Sequence, residues 1–148
     1  MTSLFHQKIF LTRERIEVEK ICEEIAHPSC GALFTFQGVV RNHHKGKPVE
    51  RIDYEAYEPL ALRQLEVIAR QLEEKWGIQR VALVHRLGNL YPGEVSLLIA
   101  LATPHRAEGF EAIRFALEQV KTIVPIWKKE YFSSKDAIWV EGHPFQWK

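Results

Sequence analysis

The chain has 148 residues, 46% of them hydrophobic and 26% charged, the composition of a single soluble globular domain over residues 1–148. A chain of this length buries roughly 70% of the surface its unfolded form exposes, so neither a metal nor a disulfide is needed to hold it folded. A formal net charge of +1 excludes a global field drawing the whole molecule onto nucleic acid or an acidic membrane, so any basic site has to be local.

The N-terminal stretch MTSLFHQKIFLTRER lacks an apolar run long enough for a signal peptide or a membrane span, so a cytoplasmic protein is expected. From Thr12 to Ala26, Ile16, Ile21, Cys22 and Ile25 recur at helical intervals among charged residues, and His27-Pro28-Ser29 breaks the pattern. Cys22 and Cys30 are the only cysteines. Without CxxC spacing or a second pair they read as reduced structural thiols rather than zinc ligands or a redox motif. GALFTFQGVVR is a strand, with Leu33, Thr35 and Gln37 alternating with Phe34, Phe36 and Val39. The basic loop RNHHKGKPVE follows, then a second strand, VERIDYEAYE, expected to close a hairpin with the first.

Glu58 to Trp76 carries Leu62, Leu65, Ile68, Ala69 and Leu72 at helical spacing and stops at Gly77. RVALVHRLG and EVSLLIALA are strands joined by GNLYPGE, and the second is apolar enough for a sheet interior. Thr103 is placed to cap a helix with Pro104 at its first position. The expected apolar stripe of that helix is Phe110, Ile113, Leu117, Val120 and Val124, and Pro125 ends it. WKKEYFSS and AIWVEG form a closing hairpin around Lys135 and Asp136. The fold class is therefore α+β, with a mixed or largely antiparallel sheet and helices packed on one side.

Three local basic clusters stand out: Arg41 with its His-rich loop, the pair His105-Arg106, and Lys121 with Lys128 and Lys129. Each has a plain reading as a solvated face. Cations in the first turn of a helix oppose the macrodipole, however, and an anion bound there would reverse the sign, so His105 and Arg106 fit half of a phosphate or carboxylate site. Lys121 borders the apolar stripe of its helix, where a lysine can also merely snorkel. On the following strand Lys128 shares a face with Glu130, while Trp127, Lys129 and Tyr131 share the other. A lysine is a poor base or nucleophile at neutral pH unless burial and neighbouring cations lower its pKa. His43 and His44 diverge on an extended segment and have no Asp or Cys nearby, so no metal site is expected. His85 reads as a strand histidine with a local partner.

In this order and at these separations, FQGVVRNHHKG, YEAYEPLA, HRLGNLYPGE, TPHR and KTIVPIWKKE resemble the large, catalytic subunit of molybdopterin synthase, over roughly Gly31 to Glu141. The first thirty residues and the tail HPFQWK are not diagnostic. The resemblance implies an α/β hammerhead-like fold and a sulfurtransferase of molybdenum cofactor biosynthesis. Its substrate would be cyclic pyranopterin monophosphate, with no permanently bound cofactor. The sulfur donor would be a small ubiquitin-like subunit with a C-terminal thiocarboxylate, and two large subunits would form a homodimer at the centre of a heterotetramer. Carried over position by position, it makes Lys121 and Lys128 the catalytic lysines. Val39, Val40, Arg41, His105, Arg106, Lys129 and Glu130 join them as substrate-binding residues. Which lysine acts as nucleophile and which as acid or base stays open.

Spacing adds a geometric test. Lys121 lies sixteen residues beyond His105 on one helix, about 24 Å at 1.5 Å per residue, roughly twice the length of a pterin monophosphate. A shared site is therefore expected, with Arg41, Lys121 and Lys128 from one protomer and His105 and Arg106 from the other. Rival readings are a noncatalytic module for a ubiquitin-like tail and an RNA-binding domain using the 41–51 loop, the latter disfavoured by the near-neutral charge.

Overall fold

The computed structural model describes residues 5–133 and 137–140. In chain order its elements are β1 (His6–Thr12), α1 (Val18–Ile25), β2 (Ala32–Val39), β3 (His43–His44), β4 (Lys47–Ala56), α2 (Glu58–Trp76), β5 (Arg80–Arg86), β6 (Gly88–Leu90), β7 (Val95–Thr103), α3 (Arg106–Ile123), β8 (Ile126–Phe132) and β9 (Ala137–Val140). The strands make two sheets. One runs β1-β5-β7-β2, with β1 parallel to β5 and the other pairs antiparallel. The other runs β3-β4-β8-β9, all antiparallel, with β6 also pairing to β4. The fold class is α+β, as the sequence indicates.

The first sheet carries the main core because its central strands are apolar at both parities. Val81 and Leu83 of β5 and Leu97, Ile99 and Leu101 of β7 turn one way, onto Leu65, Ile68 and Leu72 of α2 and Ala112, Ala116 and Val120 of α3. Ala82, Val84, Leu98, Ala100 and Ala102 turn the other way, onto Ile16 and onto Ile21 and Ile25 of α1. Helices therefore cover both faces of this sheet rather than the expected one, since continuous apolar strands need burial on both sides. Arg80 is buried at the edge of this second layer. It donates from Nε to the carbonyl of Ile25 (2.6 Å) and from Nη2 to that of Glu24 (2.7 Å), at the C-terminal turn of α1 where carbonyls lack intrahelical partners.

Helix α2 has the expected bounds. Gly77 takes φ 66°, and the Gly77 and Ile78 amides return to the carbonyls of Glu73 and Leu72 to close the helix.

Four local expectations are corrected. The helix expected from Thr12 begins only at Val18, because Thr12 is the last residue of β1 and its hydroxyl accepts from the Glu14 amide to turn the chain (3.0 Å). Strand β1 has no clean alternation, every residue being half-buried, which hides it from periodicity. The strands at 31–41 and 49–58 do not form a hairpin: β2 pairs with β7, and β4 pairs with β3, β6 and β8. A sheet-interior partner in β7 offers β2 more burial than the polar β4. Finally, Thr103 does not cap α3. It ends β7, buried, and donates to the carbonyl of His105 (2.6 Å), which is itself the N-cap residue. The buried face of α3 is Gly109, Ala112, Ala116 and Val120, with Phe110 outside it, since the helix lies close on the sheet where only small residues fit. Val124 and Pro125 end α3 as expected. The turn expected at Lys135 and Asp136 lies outside the described residues.

Candidate active site

The second sheet gathers the cations. Strand β8 starts directly after the Val124-Pro125 stop, and Lys128 sits in its middle, in register with Tyr54 of β4 on one side and Val140 of β9 on the other. Because side chains alternate, Lys128 and Glu130 share a face with Ile52 and Tyr54. Glu130 is only 3% exposed, and its Oε1 lies 3.9 Å from Lys128 Nζ. Burial lowers the pKa of Lys128. Glu130 opposes that shift, and the positive charges of Lys121 and Arg41 add to it. The structure thus brings Arg41, Lys121 and Lys128 within electrostatic reach of one another.

Each arrives there for a local reason. Lys121 is exposed in the last turn of α3, where a cation complements the helix dipole. Arg41 follows the end of β2, where the register against β7 shifts between Gly38 and Val39 and leaves Ser96 of β7 as the extra residue. Val39 lies outside, 50% exposed, on the face of Leu33 and Thr35 rather than with Phe34 and Phe36 as expected, because alternation along β2 runs unbroken and puts odd-numbered residues on one face. Val40 turns inward among Val49, Ile52, Leu90 and Phe132. Backbone bonds from Val40 to Glu94 (3.0 Å) and from Gly93 to Val40 (2.8 Å) hold the chain there.

Lys129 faces the other way. Its ammonium lies 5.5 Å from the Tyr131 ring centroid and 5.3 Å from that of Trp139, on the sheet face where Arg51 stacks on Tyr131 at 3.8 Å. His105 and Arg106 are exposed at the start of α3, at the opposite end from Lys121, and no side chain caps that helix. One chain therefore does not bring them to the Lys121–Lys128 cluster, about 24 Å away along the helix.

A residue without an assigned part in the sequence reading joins the cluster. His44 Nδ1 lies 2.9 and 2.8 Å from the two carboxylate oxygens of Glu130, while His43 Nδ1 contacts its neighbour Asn42 at 2.9 Å. The sequence signal is the extended segment itself, whose alternation turns His43 and His44 to opposite faces, while the two-residue Lys45-Gly46 turn, both with positive φ (50° and 79°), folds it back onto β4. Its partner, 86 residues away, was not visible from that signal. Behind the site, burial pushes the Tyr54 phenol up, opposed by Ser96 and helped by Glu130. Tyr54 meets His85 edge-on at 5.0 Å. His85 bonds the carbonyl of Arg86 through Nδ1 (2.8 Å), and burial lowers its pKa to about 4.

Fold and cluster together define an α+β protein with a half-buried lysine set in a local cationic site suited to an anionic substrate. The family described as "MoaE protein" matches residues 11–123. The molybdopterin synthase catalytic subunit of Halalkalibacterium halodurans is 40% identical over 134 residues, covering 90% of this chain and 85% of that one. The crystal structure of molybdopterin synthase from Staphylococcus aureus superposes with a TM-score of 0.81 at 37% identity, covering 97% of this chain and 100% of that one. A Helicobacter pylori structure, a complex of subunits 1 and 2 of molybdopterin-converting factor, has the same fold at TM-score 0.75 and 22% identity over 94% of each chain. The chain belongs to the MoaE family of molybdopterin synthase catalytic subunits.

Proposed function

We propose that this chain, acting as one catalytic domain over residues 1–148, is the sulfur-transferring subunit of molybdopterin synthase and converts cyclic pyranopterin monophosphate to molybdopterin. The observation that carries the reading is Lys128, half-buried in mid-strand with its pKa lowered by burial and by the cations Lys121 and Arg41. A noncatalytic tail-binding module has no use for a lysine tuned in that direction, whereas nucleophilic or acid-base chemistry does.

The donor is the thiocarboxylated C-terminus of a small ubiquitin-like subunit. Arg41 and the lysines hold phosphate and carbonyl oxygens. The thiocarboxylate sulfur bonds to a substrate carbon as a lysine protonates the oxygen that departs from it. Attack of a lysine amine or of water on the resulting thioester carbonyl then breaks the acyl carbon–sulfur bond and leaves the sulfur on the substrate, while the remaining cations stabilise the charge that develops. Val39, Val40, Lys129 and Glu130 complete the substrate-binding set, Glu130 through its contact with Lys128, and Lys129 only through its backbone or its charge, since its side chain lies on the reverse face of the sheet. His105 and Arg106 serve the site of a second copy of this chain across a two-fold homodimer interface, with a small subunit bound at each end of the heterotetramer. The subunit complex of the Helicobacter pylori relative supports pairing with a small subunit. No permanently bound cofactor takes part. Among the described residues no helix is long and apolar enough to cross a membrane, and the enzyme works in the cytoplasm.

The test is turnover of cyclic pyranopterin monophosphate with a thiocarboxylated small subunit. Dithiolene-containing product is expected. A folded, correctly paired complex that yields none would remove the central claim.

A further inference from the structure

His44 has no part in the scheme above, yet it makes the shortest polar contact of the cluster. Its Nδ1 spans both oxygens of Glu130 at 2.8 and 2.9 Å, whereas Lys128 Nζ stands 3.9 Å from Oε1. A carboxylate only accepts, so Nδ1 carries the hydrogen. One buried carboxylate thus has two partners, and the imidazole holds the inner place. In a site screened poorly by water, a vacant inner place would draw the lysine in.

We propose that His44 is a positioning residue for Lys128: by occupying both oxygens of Glu130 it keeps the lysine out of a tight ion pair and leaves its Nζ available to substrate. The inference rests on the sulfur-transfer reading given above. A lysine closed onto a buried carboxylate is a weaker acid and is less often a free amine, so either chemical role suffers. Among the described residues the charged and titratable groups around Lys128 are few. They are Glu130 on its own strand, Lys121 from the end of α3, Arg41 after β2, His44 on β3 and Tyr54 on β4, with His85 of β5 behind Tyr54, while β9 places Val140 against it. Of these, His44 alone is hydrogen-bonded to Glu130 among the described contacts. The imidazole is not needed to shape its loop. The Lys45-Gly46 turn and the bond from the Val49 amide to the Asn42 carbonyl (2.8 Å) do that through the backbone.

The test compares the full chain with His44→Ala and His44→Asn, since the Asn Nδ2 stands as many bonds from Cβ as the His Nδ1 and restores a donor. Lysine-labelled protein, with the Lys128 signal assigned by its loss in Lys128→Arg, reports the Lys128 titration midpoint by NMR. Turnover is measured with the thiocarboxylated small subunit. In His44→Ala the midpoint should rise by about one pH unit, the pH–rate profile should move up with it, and kcat should fall about tenfold with KM little changed. His44→Asn should return both to within about twofold of the parent. An unmoved midpoint in His44→Ala, or an Asn variant as impaired as the Ala variant, overturns the proposal. If the parent shows no turnover but the midpoint still moves, the positioning stands and the sulfur-transfer reading is what fails.

Discussion

Lys128 is set apart from the other lysines by strand register: it is flanked by β4 and β9, half-buried, and shares its face with a carboxylate that is almost wholly buried. Lys121 is exposed, and its contribution is a charge at the helix end that reaches Lys128. If that charge and its amine serve the chemistry, Lys121→Ala should still bind the small subunit, as measured by calorimetry, while turnover drops about 10²- to 10⁴-fold. Loss of binding alone would make Lys121 a docking residue. His85 yields a prediction on stability. Its pKa is lowered from 6.5 to about 4 by burial. Between those values the unfolded chain binds the proton and the folded chain does not, so stability is intact above about pH 6.5 and falls as the pH drops towards 4. The difference is on the order of 3 kcal/mol. Urea midpoints of the parent should decline between neutral pH and about pH 4.5, and His85→Phe should show a clearly flatter decline.

At the scale of elements, α3 shows what periodicity alone misjudges. Of the expected stripe Phe110, Ile113, Leu117, Val120 and Val124, the last two are buried and Ile113 and Leu117 pack partly buried against the same core. Phe110, however, is exposed, and the close approach to the sheet is made by Gly109, Ala112 and Ala116. A Cβ at Gly109 would overlap the ring of Phe34, which Phe110 also meets edge-on at 4.9 Å. Close helix–sheet approach selects small residues, and a hydrophobicity count is blind to distance. Gly109→Ala should therefore cost about 1–3 kcal/mol by overpacking, read as a lower urea midpoint with unchanged slope. Helix α2 behaved as read because its signals are local: apolar residues one turn apart, Pro59 near its start and Gly77 at its stop.

At the scale of the whole molecule, α3 separates two basic groups. His105 and Arg106 are at its start and Lys121 at its end, so a single chain does not bring the two basic groups together. If two copies share the site, mixing Lys121→Ala with His105→Ala protein should regain activity. With random exchange half of the dimers are mixed, and one of the two sites in each has all its wild-type groups. No recovery despite subunit exchange shown by mass spectrometry would argue against sharing.

By itself the sequence determined the fold class, the extent of α2, the apolar β5 and β7, the stop at Pro125 and the division of Lys128 and Lys129 between two faces. Each of these is encoded within a turn or two of chain, in periodicity, capping and the geometry of proline and glycine. Tertiary structure alone decided that β2 pairs with β7, that helices cover both faces of the first sheet, and that His44 meets Glu130. Those outcomes depend on which distant strands come into register and on how closely a helix can approach a sheet. Neither quantity is written in the spacing of residues along one segment.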